Sequence, residues 1–134
     1  MVKGFLFDLD GTIWDSEKII VKAIFQAASE INIEVSENEI QRKFKDSTSP
    51  ISVLKYYEIS IDLYWKCYKE NYLGIELFFS NTWAVFNTLL DRERTIGFIT
   101  SLKKEFALAL LKKFNLLEFP MVLITPSECR TTKP

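Results

Sequence analysis

The sequence contains no histidine. That absence removes every Ser-His or Cys-His nucleophilic arrangement, and with them any histidine-bearing zinc site. Acid–base chemistry in this chain must therefore use carboxylates, lysine or tyrosine. Cysteine is scarce: Cys67 and Cys129 lie far apart without C-x-x-C spacing and make a poor metal site on their own. No sign of charge predominates, because 17 basic residues face 18 acidic ones for a net charge of −1. No bulk field then steers the protein toward nucleic acid or an acidic membrane surface. Glycine and proline number only four each, and with 48% hydrophobic residues this excludes a low-complexity or disordered chain. Long apolar runs are missing too. Gly4-Phe5-Leu6-Phe7, interrupted at Asp8, is too short for a signal-peptide core and far too short to span a bilayer. The expected setting is cytoplasmic, with both thiols reduced.

What is present suits one medium domain, or a small domain carrying an insertion, in 134 residues of which 26% are charged. Residues 3–8 form an apolar run bounded by charged and turn residues, as expected of a strand covered on both faces. Asp10-Gly11-Thr12 supplies turn chemistry. Ser16 is a candidate N-cap for a helix carrying Ile19, Ile20, Ala23, Ile24, Ala27, Ala28 and Ile31 at helical spacing. Ser36-Glu37-Asn38-Glu39 has the form of a capping box and predicts a second helix. Pro50 marks the start of a third. A fourth carries Ile61, Tyr64, Trp65, Tyr68 and Tyr72 on one face, an aromatic stripe that reads as core rather than cofactor site. Residues 16–73 are thus expected to form a compact all-helical unit.

The pattern then changes. Ser80 or Asn81 caps a helix bearing Val85, Phe86, Leu89 and Leu90, and a buried-type strand, Thr95 to Ile99, follows. Another helix places Phe106, Leu110 and Phe114 on one side with Ala107 and Leu111 beside them. The pairs Lys103-Lys104 and Lys112-Lys113 form its solvated face. Met121 to Ile124 is a third strand. Strands alternating with helices predict a parallel α/β sheet, interrupted after its first strand by a helical insertion.

Ligands of open α/β sheets bind beyond the carboxyl ends of the strands. The first strand delivers Asp8 and Asp10 there, the second Thr100 and Ser101, and Lys133 follows the third after a short loop. Two carboxylates, a hydroxyl pair and an ammonium group suit phosphoryl transfer. A carboxylate can take the phosphoryl group as an acyl phosphate, and a second can protonate the leaving alkoxide and then activate water. Attack of an anion on an anion needs neutralisation by Mg²⁺ and a lysine, and Asp8 offers the oxygen ligand that Mg²⁺ prefers.

Phe7-Asp8-Leu9-Asp10-Gly11-Thr12-Ile13-Trp14-Asp15-Ser16 resembles the first motif of the haloacid dehalogenase superfamily, DxDGT in its extended form DLDGTLxDS. Phe98-Ile99-Thr100-Ser101 is similar to the second motif, and Lys133-Pro134 to the third. The resemblance implies a Rossmann-like parallel sheet core over residues 1–14 and 80–134 and a helical C1-type cap over 15–79. It implies Asp8 as nucleophile and metal ligand, and Asp10 as general acid/base with its backbone carbonyl on the metal. Thr100 and Ser101 would bind phosphate, Lys133 would neutralise it, and Mg²⁺ would be the cofactor. Asp15 and Ser16 read as local capping groups. Lys45, in the cap segment Lys45-Asp46-Ser47-Thr48-Ser49, is a candidate substrate contact beside its plainer reading as a solvated lysine.

An acid at Asp10 favours phosphoryl chemistry over halide displacement. The first motif is similar to those of phosphoglycolate phosphatases and β-phosphoglucomutases alike, and hydrolysis of a small phosphorylated metabolite is the preferred expectation. The family's fourth motif, an acidic pair completing the metal site, would lie beyond Pro134, so a truncated product or domain fragment is expected. The alternative is a non-catalytic remnant that binds phosphate or a protein partner, oligomerising through an uncovered sheet edge.

Overall fold

Three apolar runs become short parallel strands in the computed structural model, which describes residues 1–47, 49–74, 79–118 and 121–128. They are β1 (Gly4–Asp8), β2 (Thr95–Ile99) and β3 (Met121–Ile124), in the order β1-β2-β3. Asp8 lies beside Ile99 and Ile99 beside Ile124, so the three strands end level. The residues that follow them leave the sheet at a single edge. The protein is an α/β fold with a parallel sheet, as the alternation of strand and helix patterns predicts.

The chain divides into two compact units, one of Met1–Asp15 with Glu76–Pro134 and one of Ser16–Ile75. The first holds the sheet with α5 (Thr82–Asp91) and α6 (Lys104–Lys113), the second α1 (Glu17–Glu30), α2 (Glu37–Ser47), α3 (Pro50–Tyr56) and α4 (Ile61–Asn71). In the first unit Phe86 of α5 meets Phe7 edge-on at 5.4 Å and Phe98 at 5.9 Å between ring centroids. Such pairs add about 0.5–1.5 kcal/mol each beyond the area they bury. Phe106, Ala107, Leu110 and Leu111 of α6 are buried, as their spacing predicts. Val85, expected beside Phe86, is instead 45% exposed.

The expectation that β1 is covered on both faces is overturned. Leu6 is 56% exposed and Val122 is 54% exposed. Register places Leu6, Gly97 and Val122 on one face, whereas Phe7 and Phe98 meet Phe86 on the other. An uninterrupted apolar run marks a strand but does not say how many of its faces are packed.

In the helical unit α1 packs against α4 and α2, and α2 packs against α3. The capping box forms: Ser36 N donates to Glu39 Oε2 at 2.8 Å, and Glu39 N donates to Ser36 Oγ at 3.3 Å. Pro50 occupies the first turn of α3. Tyr64, Tyr68 and Tyr72 are buried and Trp65 is half-buried, but Ile61, the first residue of α4, stands 54% exposed. Ser16 and Asn81 precede their helices as expected, but each has helical backbone angles and makes no side-chain cap. A residue already in the helical region aims its side chain away from the free N–H groups, so the letter is present without the bond. Cys67 is buried, with its Sγ 3.8 Å from Glu30 Oε1. Burial first, then the charges of Glu30 and Glu70, push its thiol up to about 11. Among the described residues no helix is long and apolar enough to cross a membrane.

Candidate active site

The loop leaving β1 folds back on itself. The Leu9 carbonyl accepts Thr12 N at 3.1 Å and Ile13 N at 2.9 Å, and Gly11 N donates to the Trp14 carbonyl at 3.0 Å. Gly11 adopts a φ of 73° to make this turn, a conformation that costs other residues roughly 1–2 kcal/mol. Asp10 sits on the turn, two residues past the end of β1 and half-buried.

Two predicted site residues meet here. Thr100 Oγ1 donates to Asp10 Oδ2 at 3.5 Å. The same hydroxyl accepts Leu102 N at 3.0 Å, and Thr100 N donates to the Ile124 carbonyl at 3.0 Å, so Thr100 is pinned on three sides and only 3% exposed. Asp8 ends β1 half-buried, and Ser101 is exposed beyond Thr100. Lys133 lies outside the described residues. Lys45 stands exposed in the last turn of α2, within the helical unit. A shallow cavity of about 250 Å³ in that unit is lined by its neighbours Lys43, Asp46, Ser47, Ser52, Val53 and Tyr56, not by Lys45. Lys43 Nζ rests 3.4 Å from the centre of the Tyr56 ring.

Three further residues at the sheet's carboxyl edge were not singled out in the sequence. The Trp14 indole N–H donates to Asp10 Oδ1 at 3.1 Å. Thr125, only 1% exposed, follows β3 as Thr100 follows β2, and its N–H donates to Glu128 Oε2 at 2.9 Å. Its hydroxyl donates to the same carboxylate, and Lys104 forms an ion pair with it. Lys104, then the Thr125 hydroxyl and N–H, hold Glu128 down at about 2 against a slight opposing effect of burial. The signal for this clasp was the Ser/Thr-x-x-Glu spacing of Thr125-Pro126-Ser127-Glu128, the same as in the capping box at Ser36.

Asp8 and Asp10 offer carboxylate and carbonyl oxygens at one strand end, the hard donors that Mg²⁺ takes. Among the described residues the one group of three acidic or thiol ligands is Glu30, Cys67 and Glu70, in the helical unit, with ligand atoms within 4.8 Å of one another. There Glu30 is already paired with Lys66 at 3.0 Å and Cys67 holds its proton, so that group suits a metal poorly.

A sequence profile of haloacid dehalogenase-like hydrolases matches residues 5–134. The chain belongs to this family. Within the haloacid dehalogenase-like hydrolases it is similar to a Clostridium perfringens protein named pyrophosphatase PpaX, at 28% identity over 141 residues, covering 100% of this chain and 64% of the relative. The chain therefore spans a little under two thirds of that relative's length. Among solved structures, a haloacid dehalogenase-superfamily hydrolase of subfamily IA from Geobacter sulfurreducens superposes with a TM-score of 0.75 at 17% identity, over 99% of this chain and 67% of its own. A β-phosphoglucomutase from Clostridium difficile superposes with a TM-score of 0.68 at 18% identity, over 100% of this chain and 66% of its own. At these identities the likeness is one of fold.

Proposed function

We propose that this haloacid dehalogenase-like chain hydrolyses a small phosphomonoester through phosphorylation of Asp8. The observation that carries the reading is the contact of Thr100 with Asp10 at 3.5 Å, beside the strand end that bears Asp8. A nucleophile, a second carboxyl group and a hydroxyl share one sheet edge. A carboxylate oxygen of Asp8 attacks phosphorus as the bond to the leaving oxygen breaks, and Asp10 gives its proton to that oxygen. Asp10, now ionised, takes a proton from water as it attacks the acyl phosphate, releasing phosphate and restoring Asp8. Thr100 and Ser101 hold the phosphate oxygens, and Lys133 neutralises their charge. The Asp8 carboxylate and the Asp10 carbonyl would hold Mg²⁺, which would supply charge neutralisation there. The helical unit acts as the cap, with Lys45 as its candidate substrate contact.

The expected substrate is a small phosphorylated metabolite of the cytoplasm rather than a nucleic acid or a membrane lipid. The relatives' names add inorganic pyrophosphate and a phosphosugar to the compounds worth trying. The test is Mg²⁺-dependent phosphate release across a panel of phosphomonoesters, pyrophosphate and hexose phosphates. Asp8→Asn should lower kcat by on the order of 10³ or more. A wild-type chain with no Mg²⁺-dependent release, or an Asp8→Asn protein as active as wild type, sinks the reading.

A second reading, a phosphate-binding protein that pairs with a second copy of itself, is favoured by the exposed Leu6 and Val122 on one sheet face. It expects a dimer by light scattering that Leu6→Lys disperses. A monomeric wild type removes it.

A further inference from the structure

We infer that Trp14 is a positioning residue for Asp10, holding its carboxylate in one orientation before substrate arrives. The inference rests on the reading of Asp10 as general acid/base. Trp14 is 1% exposed. A buried indole N–H is a donor with no other role to fill, and leaving it unpaired is costly, so its partner is strongly selected. That partner is Asp10 Oδ1, at 3.1 Å.

The indole is itself anchored at two places. Its ring stacks on Phe114, 6.0 Å between centroids and 26° from parallel. Its backbone carbonyl takes Gly11 N at 3.0 Å, which ties the residue to the turn that carries Asp10. The ring is stiff, with only two side-chain torsions, so its N–H approaches the carboxylate from a fixed direction. The other carboxylate oxygen, Oδ2, meets Thr100 Oγ1 at 3.5 Å, and that hydroxyl is fixed in turn by Leu102 N. Each oxygen of Asp10 therefore faces a donor whose own position is set by packing or by a further hydrogen bond. Proton transfer is steep in geometry, and a carboxyl group oriented in advance loses no time or entropy in finding its angle. The Asp10–Trp14 spacing of four residues lets the loop itself hold one oxygen of its acid/base side chain, while Thr100, from beyond β2, faces the other.

The substitution that tests this is Trp14→Phe, which keeps the stack on Phe114 and the buried ring but removes the N–H. We expect kcat to fall about 10-fold or more with KM within about 2-fold, since only the oriented proton transfer is lost. In an Asp10→Asn background the same substitution should have no further effect on kcat. A kcat unchanged by Trp14→Phe, a change confined to KM, or an equal loss in both backgrounds overturns the inference.

A second measurement reads the pairing without turnover. The indole ¹H–¹⁵N resonances of Trp14, Trp65 and Trp83 are assigned by elimination, the Trp14 peak being the one that neither Trp65→Phe nor Trp83→Phe removes. That peak should move upfield in Asp10→Ala while those of Trp65 and Trp83 stay in place. A Trp14 peak indifferent to Asp10→Ala overturns the pairing whatever the assay shows, and it decides the matter if Trp14→Phe fails to fold. Absence of turnover in the wild-type chain with a moving Trp14 peak would sink the acid/base reading while upholding the pairing.

Discussion

Glu128 shows how a single exposed-side carboxylate can organise a strand end. It receives the Thr125 N–H and hydroxyl from its own loop and Lys104 from the start of α6, and together these hold it ionised down to about 2 from an ordinary value of 4.5. A depressed carboxylate value stabilises the fold fully above the unfolded value and loses that contribution as pH falls through the folded one. The advantage of the wild-type chain over Glu128→Gln in urea midpoint should accordingly be steady above about pH 5, shrink between pH 4.5 and 2, and diminish with added salt. An advantage that is flat across that range would sink this account. The sequence announced Asp8, Asp10 and Thr100 because strand-end carboxylates and hydroxyls are visible as letters after an apolar run. It did not announce that Trp14 and Glu128 would be the groups that hold their neighbours. Each belongs to a common class of local residue, an apolar side chain after a turn or a surface acid. Only the loop geometry turns them toward Asp10 and Thr125.

Among the elements, the strands and helices follow closely from periodicity, because each is a local consequence of spacing and turn residues. All three strands and the four helices of the Ser16–Ile75 unit lie where the pattern predicts them. The exceptions are informative. Ser36 and Glu39 form reciprocal bonds, and Ser60 accepts Leu63 N at 3.2 Å, whereas Ser16 and Asn81 have the right identity and make no such bond. Capping depends on the backbone angles of the cap residue, which its letter does not state. Glu39→Ala should therefore lower the midpoint of chemical denaturation, with Glu39→Gln recovering part of it. An unchanged midpoint in Glu39→Ala would mean that α2 draws nothing from its box. Burial departs from expectation at element ends and at sheet faces for a related reason. Ile61 opens α4, and Leu6 and Val122 lie on a sheet face away from Phe86, and neither circumstance is encoded in hydropathy alone.

At the scale of the whole molecule, one chain leaves its sheet after the first strand, builds a separate unit of helices and returns to continue the sheet with β2 and β3. The candidate chemistry gathers where the strands end level, which is a property of register rather than of any one segment. That register could not be read from the sequence, although the residue types it brings together could. The helical unit has a property of its own. Cys67 is 0% exposed and its thiol is pushed up to about 11, so at neutral pH it presents no thiolate and no path for a reagent. Any alkylation of it in the folded protein must wait for the helices to part. With Cys129 replaced by serine, Cys67 becomes an internal clock, and its labelling rate under native conditions counts how often the unit breathes. We expect labelling far slower than for an unfolded thiol, rising with urea in step with the loss of helical signal. Labelling at the unfolded rate without denaturant would show that this interior is open on the timescale of the reagent.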